Sequence, residues 1–302
     1  METLGSSPSI LPLYLKSALP LIPGASSLPF VPGGGDRIPQ ELRFELGGVR
    51  TDTRQVSEYS KVCGFNLRDT LPPTFPHVLA FPLHMKIMSD GSFPFGAVGL
   101  VHIENSISQI RPIRTSETLD IEVTTTPLAP HPKGRVFSLL TVVSTSGDAV
   151  WTETSTMLRR GRTGEGETSR PLDVPSLDPK SPASASWKLP GDLGRRYGAV
   201  SGDRNPIHMY ALTAKPLGFN SAIAHGMWTK ARALAQVGSR IPDSFRADVR
   251  FRKPVYLPGK VDFASSGDGD GFLFNVRDSR KATPHLDGRI SALAPSTSKA
   301  KI

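Results

Sequence analysis

Apolar and polar positions alternate over residues 41–49, in the run ELRFELGGV, and this period of two predicts a strand. The next stretch changes period. Val56, Tyr59 and Val62 recur three residues apart, which predicts a helix over residues 51–65. The first ordered region is therefore expected to open with one strand followed by one amphipathic helix.

A longer apolar stretch, LPPTFPHVLAFPLHMKIMSD at residues 71–90, predicts a helix that is buried on all sides. Pro76 suits the first turn of such a helix, whereas Pro82 lies inside it and is expected to kink it. Turn residues separate four following runs that are rich in Thr, Val and Ile and predict strands, namely GLVHIENSISQI, TLDIEVTTTPL, GRVFSLLTVVST and AVWTETSTMLRR. One buried helix followed by antiparallel strands is an α+β pattern.

Residues 161–186 interrupt this pattern, because they are rich in Pro, Ser and charged residues and predict a linker. Beyond them the pattern repeats, with a short helix DLGRRYGAV, a loop GDRNPIH, an apolar helix HGMWTKARALAQVG and several strand-like runs. Tyr197 precedes the second apolar helix as Tyr59 precedes the first, but Phe65 stands where the second half has Asp203. The first half is therefore interpreted as a degenerate copy without the polar residues of the second.

The order of elements divides the chain into an N-terminal arm at 1–38, a first half at 39–160, the linker at 161–186, a second half at 187–295 and a disordered tail at 296–302. The arm contains the apolar run ILPLYLKSALPLIPG, which Pro12, Lys16 and Pro20 interrupt, so neither a signal peptide nor a membrane span is expected. We expect the arm to be extended, with at most one helical turn, and to pack on the domain surface. A lid over a substrate is one role open to it.

Composition narrows the class of partner. With 38% hydrophobic and 21% charged residues, the chain of 302 residues is expected to be globular. Its net charge of +9 favours an anionic partner, but no nucleic-acid-binding motif is present, so nucleic acid is not expected. The single cysteine, Cys63, excludes an internal disulfide and lies in an apolar run, which favours a core position and a reducing, cytoplasmic location.

The loop SGDRNPIH carries the residues best suited to chemistry. Asn205 and Pro206 form a helix start, as N-cap and first helical residue, which places His208 in the first turn. The helix dipole there disfavours an imidazolium, so His208 is expected to be neutral. A neutral imidazole and the ionised carboxylate of Asp203 can hold a water between them and exchange protons with it.

His225 and Gly226 are expected to begin the second apolar helix, which leaves the Gly226 N–H without an intrahelical partner. Directed into a cavity, this donor could bind a carbonyl oxygen as negative charge develops on it, and glycine permits the close approach. A water-activating pair beside such a donor suits the addition of water to a carbon–carbon double bond conjugated to a carbonyl, or the reverse elimination.

Other roles for the same side chains stay open. Asp203 could cap a turn, His208 could be a helix-terminal histidine with satisfied hydrogen bonds, and His225 could be structural. A metal is not expected, because no carboxylate lies at ligand spacing near His225 in the sequence. Three further histidines lie on apolar elements of the first half and are expected in its core or at its rim: His77, His84 and His102.

The joint pattern Y-x-x-x-S-G-D-x-N-P-I-H at 197–208, A-K at 214–215, G-F at 218–219 and A-H-G-M at 224–227 resembles the MaoC-like, or R-specific enoyl-thioester hydratase, family. The resemblance implies a hot-dog fold, in which an antiparallel sheet wraps one long helix. Two such units in one chain resemble the double-hot-dog hydratases, so the expected fold class is α+β, double hot dog. The first half, with PPTFPHVLAFPLHM and GLVHIEN, further resembles actinobacterial 3-hydroxyacyl-thioester dehydratases linked to type II fatty-acid synthesis.

Carried over by position, the resemblance implies that Asp203 and His208 bind the catalytic water and that Gly226 supplies the N–H for the oxyanion. It also implies that the loop is shaped and oriented by neighbouring motif residues, which with His225 are the expected substrate-binding residues of the motif: Ser201, Gly202 and Asn205. The first half is expected to supply a tunnel for the acyl chain. A basic group that could meet a CoA phosphate or an acidic carrier protein, or simply form a solvated face, consists of Arg250, Arg252 and Lys253.

The expected activity is that of a (3R)-hydroxyacyl-thioester dehydratase of fatty-acid metabolism, reversible with trans-2-enoyl-thioester hydration. As a hydro-lyase it is expected to need no metal or redox cofactor. Its expected partner is an acyl-CoA or an acyl carrier protein thioester, and the protein is expected to be a monomer or a homodimer. Two alternatives stay open, a hot-dog acyl-thioesterase and a non-catalytic subunit that binds acyl thioesters.

Overall fold

The computed structural model describes residues 2–21, 31–33, 37–39, 42–163, 166–178 and 180–293. The predicted C-terminal tail, 296–302, lies outside these residues, as does part of the N-terminal arm. Within them, every helix is too short or too polar to traverse a lipid bilayer.

The N-terminal arm is more regular than the expected extended segment with one helical turn. It contains strand β1 (Glu2–Leu4) and helix α1 (Ile10–Ala18), followed by a 3₁₀ turn at Leu19–Leu21. Pro12 is tolerated because it lies in the first turn of α1, where backbone N–H groups lack intrahelical acceptors in any case. Contacts with the core stabilise this short helix, and the side chains that make them are Ile10, Leu13 and Tyr14.

The first half follows the predicted order of elements. It begins with strand β2 (Arg43–Arg50), helix α2 (Thr53–Cys63) and helix α3 (Phe75–Met88). The strands that follow are β3 (Leu100–Gln109), β4 (Thr118–Thr125), β5 (Ala129–His131), β6 (Gly134–Thr145) and β7 (Asp148–Arg160). Strand β5 is an addition to the prediction, because its three residues are too few to show a period.

The second half repeats this order. Its first elements are strand β8 (Ala185–Leu189), helix α4 (Leu193–Ser201) and the one-turn helices α5 (Pro206–Met209) and α6 (Ala211–Ala214). Helix α7 (Gly226–Val237) follows, with 3₁₀ turns after α6 and α7 at Lys215–Leu217 and Gly238–Arg240. The last strands are β9 (Phe245–Phe251), β10 (Gly259–Asp268), β11 (Gly271–Asp278) and β12 (Pro284–Ala292).

One helix forms the centre of each half. All residues of α3 except Leu79 and Lys86 are buried, which confirms the prediction of a helix enclosed on all sides. The helix continues through Pro82, where packing offsets the hydrogen bond that proline cannot donate. The corresponding helix α7 buries smaller apolar residues and also one lysine, Lys230. Cys63 is buried at the end of α2, in agreement with the predicted core position.

The strands of the described residues belong to one sheet, in the order β1-β2-β4-β6-β7-β3-β9-β12-β11-β10-β8, with β5 beside β6. The halves meet at a seam where β3 pairs antiparallel with β9, from Glu104 opposite Arg250 to Gln109 opposite Phe245. Counted outward from this seam, equivalent strands come in the same order on both sides. The protein is therefore an α+β double hot dog, and the repeat predicted from the sequence is a structural one.

The stretch expected to be a linker lies against the sheet and crosses the seam. The Leu172 N–H donates to the Glu104 carboxylate of β3 at 3.2 Å. The Ser176 hydroxyl donates to the Asp287 carboxylate of β12 at 3.1 Å. Strand β8 begins inside the same stretch, at Ala185. The segment therefore contacts both halves before it enters the second.

Candidate active site

The loop after helix α4 is shaped by the two residues that precede Asp203. Gly202 ends α4 with a φ of 78°, in the left-handed region that glycine enters without steric cost. A Cβ at this position would lie 2.4 Å from Ile10 Cδ1, so helix α1 packs directly over the loop. The Ser201 hydroxyl accepts a hydrogen bond from the Asp203 N–H at 3.2 Å. Both residues thus help to position Asp203.

The Asp203 carboxylate accepts two hydrogen bonds at Oδ1, from the Tyr14 hydroxyl at 2.6 Å and from the Asn205 N–H at 3.1 Å. Burial by itself raises the pKa of this carboxyl, but neighbouring groups outweigh burial, among them the hydrogen bonds from the Tyr14 hydroxyl and the Asn205 N–H, so the pKa lies below its usual range. Asp203 is therefore ionised at neutral pH. Its Oδ2 accepts no hydrogen bond from the described residues, which leaves this oxygen for a water or a substrate.

No signal in the sequence predicted Tyr14 as part of this site. Its hydroxyl donates to Asp203 and accepts a hydrogen bond from the Arg204 N–H at 3.0 Å, so it joins two residues of the loop. Burial, followed by the charge of Asp203, raises the pKa of Tyr14, and the hydroxyl keeps its proton. Tyr14 and Asp203 lie 189 positions apart, and no spacing rule links residues at that distance.

Helix α5 presents His208 as predicted. The Asn205 side chain caps the helix by accepting from the Ile207 N–H at 3.3 Å. His208 Nδ1 lies 2.8 Å from the Ile223 carbonyl, which can only accept, so Nδ1 carries the proton and Nε2 offers a lone pair. Burial lowers the pKa of His208, although Asp203 acts in the opposite sense. The imidazole is neutral, as expected, but burial is the main cause and not the dipole of so short a helix.

His225 is the N-cap residue of α7 and contacts the loop that contains Asp203. Its Nε2 donates to the Asp203 backbone carbonyl at 2.9 Å and lies 3.7 Å from Asp203 Oδ2. Its ring stacks on that of His208, with centroids 3.7 Å apart. Burial, and after it the neighbouring His208, lowers the pKa of His225 to about 3, so the ring is neutral. This geometry favours a structural role for His225.

Gly226 begins helix α7 and lines the cavity beside the loop. As the first helical residue, its N–H has no acceptor within the helix. A Cβ at this position would lie 3.0 Å from the Phe251 ring, so a larger residue would have to displace that ring. The positive end of the α7 dipole therefore borders the cavity at a place where a ligand can approach the backbone closely.

Asp203, His208 and His225 each place one polar atom within 4.8 Å of the other two. The expectation that no carboxylate approaches His225 is therefore wrong, because the loop folds back onto the start of α7. A cation bound here would compete with the hydrogen bond from His225 Nε2 to the Asp203 carbonyl. Between Asp203 and His208 the spacing suits one bridging water, which needs about 2.8 Å to each partner.

A cavity of about 550 Å³ borders this cluster, and both halves of the chain line it. The second half contributes five of the predicted residues of the motif, Asp203, Asn205, His208, His225 and Gly226. Ser201 and Gly202 are not among the described residues that line it, so they act through the loop alone. The first half contributes apolar side chains in agreement with the predicted tunnel, among them Phe81, Met88, Leu139 and Leu158.

The three predicted basic residues also line the cavity. The Arg250 guanidinium lies 3.4 Å from the Glu104 carboxylate, and that of Arg252 lies 2.7 Å from Asp287. Lys253 is exposed and has no ion-pair partner among the residues that the structure describes. Its charge is therefore the most available of the three to an anionic ligand.

The histidines of the first half were expected in the core or at its rim, and they are buried or half-buried. His77, His84 and His102 also line the same cavity as Asp203 and His208. They place polar atoms beside the apolar side chains that the first half contributes to this cavity.

Comparison with known proteins identifies chains with a similar sequence. Residues 178–287 match the family model described as a MaoC like domain. The 3-hydroxyacyl-thioester dehydratase X of Mycobacterium tuberculosis is 37% identical over 285 residues, which cover 93% of this chain and 99% of that protein.

Solved structures show a similar fold. The crystal structure of HtdX of Mycobacterium tuberculosis gives a TM-score of 0.74 at 33% identity and covers 83% of this chain and 100% of that chain. A second protein of the same organism, described as having a double hotdog fold, gives a TM-score of 0.54 over 82% of this chain and 93% of that chain. Because its identity is 12%, this second likeness concerns the fold alone.

Proposed function

The chain belongs to the MaoC-like family of 3-hydroxyacyl-thioester dehydratases, and we propose that it interconverts (3R)-3-hydroxyacyl thioesters and trans-2-enoyl thioesters. One observation carries the proposal. The ionised Asp203 and the neutral His208 bring polar atoms within 4.8 Å of each other at the wall of a cavity. A carboxylate and an imidazole at this separation can share a water and move its protons. The protein is thus a hydro-lyase.

The reacting water is held between the two side chains. Asp203 Oδ2 accepts from it, since Oδ1 is engaged by Tyr14 and Asn205. His208 Nε2 also accepts from it, since its Nδ1 proton is donated to Ile223. With both protons of the water directed at acceptors, its oxygen is the nucleophile. The two side chains titrate as a unit, so base and acid roles belong to the pair.

In the hydration direction, the water oxygen bonds to C3 of the enoyl thioester as the C2–C3 double bond shifts electrons toward the carbonyl. Negative charge develops on the thioester oxygen, where the Gly226 N–H and the start of α7 stabilise it. The proton taken from the water is then delivered to C2, and the pair returns to its initial protonation state. Dehydration reverses these steps. No electrons leave the substrate, so the chemistry requires no redox cofactor.

Acyl thioesters of CoA or of a carrier protein fit the shape and charge of the cavity. Its apolar wall in the first half suits an acyl chain. Lys253, with Arg250 and Arg252, suits the phosphate that CoA and the carrier-protein prosthetic group both contain. These features support an acyl thioester as the substrate. Activity measurements with both kinds of thioester distinguish CoA from the carrier protein.

Two other functions share parts of this site. A thioesterase would also use a carboxylate and a water, but it would direct the water at the thioester carbonyl. A binding subunit would have no need of an ionised Asp203 and an Nε2 lone pair on His208 turned toward the same space. The paired acceptors therefore favour hydration.

The direct test follows the ultraviolet absorbance of crotonyl-CoA in the presence of the purified protein, with a thiol reagent in a parallel sample. We expect the enoyl absorbance to fall without release of thiol. Release of thiol would establish a thioesterase instead. Absence of both changes, repeated with crotonyl carrier protein as substrate, would establish a binding role.

A further inference from the structure

Three histidines of the first half give the cavity a polar wall away from the reacting pair. His77 and His84 lie on one face of helix α3, two turns apart, and His102 lies on strand β3. All three line the cavity that also contains Asp203 and His208. A tunnel for a purely hydrocarbon chain has no use for polar atoms at these positions.

In two of these rings, those of His77 and His84, one nitrogen is engaged by the protein and the other is not. His77 Nδ1 donates to the Glu153 carboxylate at 2.9 Å, and His84 Nε2 lies 2.8 Å from the Thr141 hydroxyl. Among the residues that the structure describes, no hydrogen bond engages His77 Nε2 or His84 Nδ1, and His102 Nε2 is buried without a partner. Buried polar atoms in native proteins nearly always find a partner, so His102 Nε2 calls for one, while His77 Nε2 and His84 Nδ1 remain available to a ligand in the cavity.

Two of the three rings in this wall, those of His84 and His102, carry no positive charge. Burial, followed by the neighbouring His77, lowers the pKa of His84 to about 3 and that of His102 to about 4. Both rings are therefore neutral, and each offers one donor and one acceptor. Of the ionisable groups packed behind them, Glu153 is bonded to His77 and Asn105, and Lys230 is bonded to Asn105 and Ala247. An uncharged oxygen suits such a wall better than a carboxylate or an ammonium.

A single aromatic ring separates the histidines from the active-site residues at two places. The Phe81 ring lies 6.2 Å from that of His77 and 6.4 Å from that of Tyr14, which donates to Asp203. The Phe251 ring lies 5.0 Å from that of His102 and packs against Gly226. A substrate whose thioester is at Gly226 would therefore bring a later part of its acyl chain to the histidines.

We propose that His77, His84 and His102 form a second subsite that binds an uncharged oxygen, a hydroxyl or a carbonyl, on the acyl chain of the substrate. This inference rests on the proposed function and names its preferred substrate class. An oxygen on the chain satisfies nitrogens that a methylene chain would leave unpaired. The subsite therefore selects oxygenated acyl chains over plain ones.

A metal ion is the competing occupant. His77, His84 and Glu153 each place one ligand atom within 4.8 Å of the others. The Glu153 carboxylate, however, already accepts from His77 Nδ1 and from Asn105 Nδ2, at 2.9 and 2.7 Å. A cation would have to displace both hydrogen bonds, which favours an oxygen of the substrate.

The test compares trans-2-decenoyl-CoA with analogues that carry one hydroxyl at successive carbons from C5 to C10. We expect at least one position to raise kcat/KM by about tenfold over the plain chain, since one net hydrogen bond corresponds to that factor. Crotonyl-CoA, too short to reach the histidines, is measured alongside. Turnover of crotonyl-CoA without any hydroxyl preference would overturn the subsite alone, whereas no turnover of either crotonyl-CoA or crotonyl carrier protein would overturn the proposed function.

Substitutions on helix α3 test whether the histidines cause the preference for hydroxylated acyl chains. His84→Leu is expected to abolish the preference for the hydroxylated chain while the plain chain is turned over at least as well, and His84→Asn, which keeps a donor and an acceptor, is expected to retain part of it. Met88→Leu, one turn along the same helix, is the matched control and should change both rates alike. An unchanged preference in His84→Leu, or stoichiometric metal in the purified protein measured by mass spectrometry, would contradict the subsite.

Discussion

The Asp203 carboxylate is held by groups from three parts of the chain. Tyr14 of helix α1 and Asn205 of the same loop donate to the carboxylate, and His225 at the start of α7 donates to the Asp203 backbone carbonyl. These contacts keep the carboxylate ionised in a buried place, where burial alone would favour its protonated form. An ionised Asp203 next to a neutral His208 is the arrangement that a shared water requires.

Removal of either member of the pair should stop the chemistry and spare binding. Asp203→Asn and His208→Ala are each expected to lower kcat for crotonyl-CoA by about 100-fold or more, the usual contribution of a general acid or base. Substrate binding, measured by calorimetry, should change little. Asp243→Asn, which alters an exposed carboxylate, is the control. A kcat close to that of the unaltered protein in either variant would refute the assignment.

Removal of the Tyr14 hydroxyl should shift the pH dependence of turnover. The pKa of Asp203 is lowered in the folded protein, so Asp203 is ionised above that pKa and activity is lost as the pH falls through it. Tyr14→Phe deletes one hydrogen bond that lowers this pKa. We therefore expect the acidic limb of the kcat/KM profile to move to higher pH, with rates at alkaline pH nearly unchanged.

Tyr210→Phe tests whether that shift is specific. Tyr210 is exposed and has no hydrogen bond to Asp203 among the described contacts. The pH profile of kcat/KM for Tyr210→Phe should coincide with that of the unaltered protein. Coincident profiles for Tyr14→Phe as well would show that the hydroxyl has no influence on the ionisation of Asp203.

At the scale of elements, the seam between the two halves is joined by a buried lysine. Lys230 of helix α7 donates to the Asn105 carbonyl of β3 at 3.2 Å and to the Ala247 carbonyl of β9 at 2.9 Å, and it also contacts the Asn105 side chain. The central helix of the second half is thereby bonded to both strands that pair at the seam, one from each half. The cavity lies beside the same strands, so this network supports its walls.

Replacement of Lys230 should therefore destabilise the whole protein. Lys230→Met keeps most of the side-chain volume but leaves buried carbonyls without donors, and we expect the free energy of unfolding to fall by about 3 kcal/mol. Denaturant unfolding measures this change. Lys188→Met, at an exposed position of β8, should alter it by less than about 0.5 kcal/mol. Equal effects of the two substitutions would show that the network contributes nothing.

At the scale of the whole molecule, charge and fold act together on the substrate. The net charge of +9 and the basic residues at the cavity attract anions. Dissolved salt screens this attraction and reduces its range. Since one chain contains both hot-dog units, we expect a monomer to be sufficient for activity. Light scattering on the purified protein measures its mass directly.

Ionic strength should separate the CoA contribution from that of the acyl chain. We expect KM for crotonyl-CoA to rise as salt is added, because screening weakens attraction to the CoA phosphates. KM for the N-acetylcysteamine thioester, which has no phosphate, should stay constant. Lys253→Ala should reduce the salt dependence for crotonyl-CoA. Equal salt dependence for both substrates would contradict a phosphate role for the basic residues.

The sequence alone predicted the structure correctly wherever the backbone geometry depends only on neighbouring residues. Asn205 and Pro206 start α5, and His225 and Gly226 begin α7, as the sequence predicts. These features depend on backbone conformations and caps within a few residues, which the amino-acid types largely dictate. The periods of two and three to four residues likewise predicted the main strands and helices, and the repeated order predicted two equivalent halves.

Tertiary structure alone decided which of these elements face one another. Tyr14 reaches Asp203 over 189 positions, and His77, His84 and His102 line the cavity of the opposite half. A hydrophobic period shows which face of α3 is buried, but on a helix buried all round it cannot show which residues border a cavity. Contacts between distant segments follow from the pairing of β3 with β9 and from the docking of α1, which depend on the whole packed chain and not on any local pattern.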